Sequence, residues 1–173
     1  FKIVQIYPLI YAAISCFVRD KGGDNPKLSK KLIQMFDTME KYHFINTAVC
    51  ERMGNEVEKL YADFCVRYAD KDKKFEETTK ELMHSLKENL ASESEFTSRF
   101  VEISYSSETI PLISYIFDRI NNIDRNPGQR LSIFNPDQKI TRRNHNIEHF
   151  YPQNPEGDMK PDSDMIQDVV DNI

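Results

Sequence analysis

The sequence predicts a mainly α protein, a multi-helix bundle, and three observations carry that expectation. Apolar residues recur at spacings of three and four in six separate stretches between residues 3 and 120. Only 5 glycines occur in 173 residues, too few for a turn-dense β-sandwich or a Gly-rich phosphate-binding fold. The 11 Phe and 8 Tyr supply large side chains for a core. The length suits one domain, or one domain plus a fragment. With 39% hydrophobic and 29% charged residues, collagen-like, low-complexity and fully disordered classes are excluded.

The elements follow in order. Residues 3–19 read as a buried helix, with Pro8 either in its first turn or kinking it. Lys21-Gly22-Gly23-Asp24-Asn25-Pro26 is a turn cluster. Leu28, Leu32, Ile33, Met35, Phe36 and Met39 form the apolar stripe of a second helix that reaches about Tyr42. A short break at His43-Phe44-Ile45-Asn46-Thr47 is expected next, then further helix to Met53. Gly54-Asn55 reads as a stop followed by a new cap. Val57, Leu60, Tyr61, Phe64, Cys65 and Tyr68 mark a third helix, and Asp70-Lys71-Asp72-Lys73 a charged turn. Phe75, Thr79, Leu82, Met83, Leu86 and Leu90 mark a fourth, whose Glu76, Glu77, Lys80, Glu81, Lys87 and Glu88 form a solvated face. Ser92 and Glu95 are spaced as a capping box for a fifth helix through Phe96, Phe100 and Val101. Ser107-Glu108 caps a sixth, with Ile110, Leu112, Ile113, Ile116, Phe117 and Ile120.

Cys16, Cys50 and Cys65 form no CxxC pair, so neither a zinc site nor a disulfide framework is indicated. They read as buried thiols, and a reducing cytoplasm suits them. The longest apolar stretch, residues 3–18, contains Gln5 and Pro8 and falls short of the ~20 residues that span a bilayer. A secretory n-region is missing as well, so no membrane partner is expected. The chain opens on Phe1 rather than Met and reads as a piece of a longer protein.

The character of the chain changes near Asn121. The formal net charge is −5, but it is unevenly spread. Residues 125–147 carry Arg125, Arg130, Lys139, Arg142 and Arg143 against Asp137 alone. Residues 148–173 carry seven acids against Lys160. An acidic helical domain, residues 1–124, thus precedes a second part, residues 125–173. That part holds an extended segment within 138–152 and a tail helix over about 163–171.

One segment has the composition of a catalytic site: His145-Asn146-Ile147-Glu148-His149-Phe150-Tyr151-Pro152-Gln153-Asn154-Pro155. Metal-assisted phosphodiester hydrolysis needs a base to deprotonate water and a carboxylate or imidazole to hold a divalent cation. Adjacent Glu148 and His149 on a regular strand point to opposite faces, whereas a twist or bulge beside a loop brings both to one site. Arg142 and Arg143, with His145, are candidates for phosphate contacts. Taken alone, the same residues also suit a strand with a partly buried His leading into a proline turn. His43, at a helix break, and His84, on a charged helix, read as structural or solvated.

Ile147-Glu148-His149-Phe150-Tyr151-Pro152-Gln153-Asn154 resembles the IEHIxPQN motif of GmrSD-type, modification-dependent (type IV) restriction endonucleases. Tyr7-Pro8-Leu9-Ile10 is similar to the YPLL start of that class, and Tyr42 to Thr47 to its ryvfrR region, with a usual Arg replaced. Tyr115-Ile116-Phe117-Asp118-Arg119-Ile120 is similar to its YILxRIE helix, with Asn121 in place of Glu. The resemblance implies a central helical region followed by the first part of an HNH, or ββα-metal (His-Me finger), nuclease domain. It implies His149 as the catalytic general base, Glu148 as a metal ligand and a divalent Mg or Mn cofactor. DNA, modified or not, would be the substrate, in a phage-defence role, and an N-terminal nucleotide-dependent domain a partner. Asp168 to Ile173 is similar to the approach to the GNLxLL segment of the class. The second half of the metal site would then lie beyond, leaving this piece inactive by itself. The alternative is a helical protein-interaction module whose tail is a degenerate, non-catalytic HNH remnant. Its acidic charge favours protein contacts over DNA.

Overall fold

The computed structural model describes residues 3–52 and 54–123. Among them are six α-helices and no strand, with 76% of the residues helical. The helices are α1 (Ile6–Arg19), α2 (Pro26–Tyr42), α3 (Asn55–Ala69), α4 (Phe75–Glu88), α5 (Glu93–Val101) and α6 (Ile110–Asn122). A 3-10 turn, Gly22–Asp24, precedes α2, and a π-helical segment, His43–Val49, follows it. The chain divides into two compact units, Phe1–Phe100 and Val101–Ile173. The extended segment, the tail helix and every residue of the 147–154 motif lie outside the described residues.

In the first unit α1 packs on α3 and α2 on α4, with α3 and α4 also in contact. Each of α1 to α4 sends one row of side chains inward. These are Leu9, Ala13 and Cys16 from α1, and Leu28, Met35, Met39 and Tyr42 from α2. Val57, Tyr61, Phe64 and Tyr68 come from α3, and Phe75, Leu82 and Leu86 from α4. The rows keep the spacing of three and four that the sequence shows, because those positions share one helix face. Each large apolar side chain among them contributes roughly 1.5–3 kcal/mol by leaving water. Thr79, counted among the apolar positions, is fully buried. Its hydroxyl is satisfied there by a hydrogen bond of 2.8 Å with that of Tyr68. Ile33 departs from the expected stripe and is 61% exposed. Cys16 and Cys50 are buried, as expected, and Cys65 is half-buried; all three are free thiols.

The helix ends show how local chemistry sets the boundaries. Pro8 sits in the first turn of α1, where a missing N–H costs nothing. Asn25 caps α2 by accepting from the amides of Lys27 and Leu28 at 3.0 and 3.4 Å, with Pro26 at the first position. The expected break at residues 43–47 is instead a widening of the helix into π geometry. Asn55 opens α3 as its first residue rather than as its cap. Half of the Ser92–Glu95 capping box forms: Ser92 Oγ accepts from the Glu95 amide at 3.2 Å, but the Glu95 carboxylate turns to Arg52. In the second unit, α6 is preceded by a reciprocal pair rather than by Ser107-Glu108. The Ser106 amide donates to Thr109 Oγ1 at 2.8 Å, and the Thr109 amide donates to Ser106 Oγ at 3.2 Å.

Candidate functional site

The sequence-designated residues Arg142, Arg143, His145, Glu148 and His149 lie outside the described residues. Polar chemistry in the described part gathers around the π-helical segment. The i to i+5 pitch there swings His43 and Asn46 into the interior, where they are 2% and 3% exposed. His43 Nε2 lies 2.6 Å from Tyr61 Oη and Nδ1 lies 3.0 Å from Thr47 Oγ1. Both ring nitrogens are therefore engaged, one donating and one accepting in the neutral ring. Burial lowers the His43 pKa from 6.5 to about 4, so the imidazole is neutral at pH 7. Burial, seconded by Tyr42, raises the Tyr61 phenol well above its ordinary value. A neutral imidazole with both nitrogens bonded, beside a protonated phenol, is a fixed internal strut.

Asn46 performs a second internal task. Its Nδ2 donates to the Asn89 carbonyl at 2.7 Å, and its Oδ1 accepts from the Ala91 amide at 2.9 Å. One side chain thus closes the turn between α4 and α5. The Arg52 amide donates to the Asn46 carbonyl at 2.8 Å. The Arg52 guanidinium then grips Glu95 through Nε at 2.9 Å and Nη2 at 2.5 Å. That two-pronged geometry is the strong form of the pair. The Arg52 hydrogen bond holds the Glu95 carboxyl below the usual carboxylate range. Phe44 and Phe96 meet edge-on at 6.0 Å, and Phe96 stacks on Phe100 at 5.3 Å. The π segment is in this way the seat of α5.

At the C-terminal end of α1, Arg19 and Asp20 reach the turn between α3 and α4. Arg19 Nη2 donates to the Lys73 carbonyl at 2.8 Å. Asp20 Oδ2 accepts from the Phe75 amide at 2.8 Å. Lys74, at the N-cap of α4, makes no side-chain cap, so a carboxylate 55 residues away serves instead. Nothing in the local sequence signals this cap or the Asn46 clamp, because each partner is distant along the chain.

Two open grooves of about 410 Å³ flank α2. One is bounded by Ile6, Tyr7, Phe36, Glu40 and His43, the other by Thr38, Lys41, Tyr42, Leu86 and Leu90. Among the described residues, no three His, Cys, Asp or Glu side chains converge to hold a metal ion. His84 is exposed and paired with Glu88 at 3.2 Å, and His43 is the strut described above, so both histidines have structural surroundings. No described helix is long and apolar enough to cross a membrane. Comparisons of the chain with protein-family models, curated proteins and solved structures gave no match.

Proposed function

We propose that the chain is the central and C-terminal part of a GmrSD-type DNA endonuclease that acts in phage defence. The observation that carries this reading is the run Ile147-Glu148-His149-Phe150-Tyr151-Pro152-Gln153-Asn154, placed after a helical region and a basic stretch. Arg142, Arg143 and His145 bind the DNA phosphates. His149 takes a proton from the attacking water, whose oxygen then bonds to phosphorus as the bond to the leaving sugar oxygen breaks. A Mg or Mn ion, when bound, lowers the charge on the scissile phosphate. Glu148 supplies the hard carboxylate oxygen that such ions prefer. The helical region couples an N-terminal nucleotide-dependent domain to the nuclease, and three free thiols accord with a cytoplasmic setting.

The test is single-turnover cleavage and DNA binding at fixed salt by the full-length protein that contains this chain. His149→Ala is expected to lose ~10²–10⁴-fold in rate, the range for a positioned general base, with binding nearly unchanged. Glu148→Ala should alter metal dependence more than binding, and His84→Ala neither. Cleavage by His149→Ala within about threefold of wild type, small beside that range, would refute the assignment. A specific observation favours the second reading, a helical interaction module: α1 leaves a row of large apolar side chains uncovered.

A further inference from the structure

An amphipathic helix in a folded unit hides its apolar side and shows a polar one. Helix α1 breaks that rule. Leu9, Ala13 and Cys16 are buried against the core, yet the outer face is apolar too. Val4, in the turn that leads into α1, and Tyr7, Tyr11, Ile14 and Val18 on the helix are 65%, 63%, 76%, 41% and 66% exposed. Their positions step by three, four, three and four, which is the seam spacing of two helices packed at about 20°. On α3, by contrast, Val66 is a lone exposed apolar residue of the ordinary kind.

We propose that this seam pairs with the same seam of a second copy of the chain, antiparallel, about a two-fold axis at Tyr11. The seam is nearly the same read in either direction. Val4 meets Val18 of the second copy, Tyr7 meets Ile14, and Tyr11 meets Tyr11, so one surface serves both partners, as a two-fold contact requires. No charged side chain occurs between Ile3 and Val18. Helix α1 therefore supplies none of the flanking Glu and Lys that select a different partner in paired helices, and the acids nearest the seam are Asp37 and Glu40 of α2, in the groove beside Tyr7. The seam itself has the aromatic-rich, charge-depleted make-up of an interface centre. Antiparallel pairing also sets each helix terminus against the opposite dipole end of its neighbour.

The area suits a weak, concentration-dependent pair. Scaled to whole side-chain surfaces of up to about 150–250 Å² for the aromatic residues, those exposures leave at most roughly 600 Å² open per copy. Covering all of it on two copies buries at most about 1,200 Å², the lower edge of specific interfaces. Each seam is already held rigid by the Leu9–Ala13–Cys16 face and by Arg19 and Asp20 at its end. Pairing therefore loses little free energy to ordering.

The experiment is sedimentation velocity on the 173-residue chain over a range of concentrations. A concentration-dependent monomer–dimer equilibrium is expected. Tyr11→Glu, which places two carboxylates on the axis, should weaken it at least tenfold, while Val66→Glu leaves it unchanged. Circular dichroism confirms that both variants keep their helix content. Tyr7→Lys and Ile14→Glu should each weaken the dimer. The double variant should restore it, because the two introduced charges, of opposite sign, face each other only in the antiparallel pair. A chain that stays monomeric at every concentration, a dimer indifferent to Tyr11→Glu, or a double variant no tighter than the single ones would overturn the proposal.

Discussion

Protonating His43 should be among the most destabilising events available to this fold between pH 7 and pH 4. The ring is 2% exposed, with Tyr61 Oη at 2.6 Å and Thr47 Oγ1 at 3.0 Å. Its pKa falls from 6.5 to about 4 because burial penalises the charged form. In the unfolded chain the ring regains its ordinary value. Between pH 6.5 and pH 4 the unfolded state therefore binds the proton and the folded state does not, so stability falls as the pH is lowered through that window. The contribution is fully present above pH 6.5 and lost by about pH 4. Full protonation in the unfolded chain alone amounts to about 3 kcal/mol, of which about 2 kcal/mol separates pH 7 from pH 5. Urea denaturation of wild type and His43→Gln at both pH values measures it, because titration of the surface carboxylates is common to the two proteins. The stability of wild type relative to the variant should drop by about 2 kcal/mol on going to pH 5. An unchanged difference, within about 0.5 kcal/mol, would mean that the folded ring titrates normally and that the strut is wrongly described.

Two further substitutions probe how the helices are joined. Asp20→Ala should cost about 0.5–2 kcal/mol in urea denaturation, the range for a lost N-cap, since the Phe75 amide loses its acceptor. Gly22→Ala should destabilise by about 1–3 kcal/mol in thermal denaturation. A Cβ there would run into the Phe17 ring, which is held edge-on against Phe75 at 5.2 Å.

The helices and their inward rows were legible in the sequence because both depend on neighbours three and four residues away. Val57–Tyr61–Phe64–Tyr68 could be read from spacing alone, and so could the turn at Gly22 and Gly23. Of the caps read from the sequence, only the Ser92 half of the Ser92–Glu95 box forms; Asn25 reads as part of a turn, and α6 opens on Ser106 and Thr109 rather than on Ser107-Glu108. Where a distant side chain intervened, local reading went astray: Arg52 draws Glu95 out of its capping box, and Asp20 caps a helix 55 residues downstream. The π pitch at His43–Val49 belongs with these, since what stabilises it is the bond from His43 to Tyr61 and those from Asn46 to the turn after α4. The motif at residues 147–154 stands on sequence chemistry alone, as a pattern of residue types outside the described residues. The seam on α1 is the converse case. Its residues look like ordinary core positions in the sequence, and only the packing of the opposite face onto α3 shows that they are left over. Spacing tells which residues share a helix face, whereas tertiary packing chooses which of two apolar faces is covered.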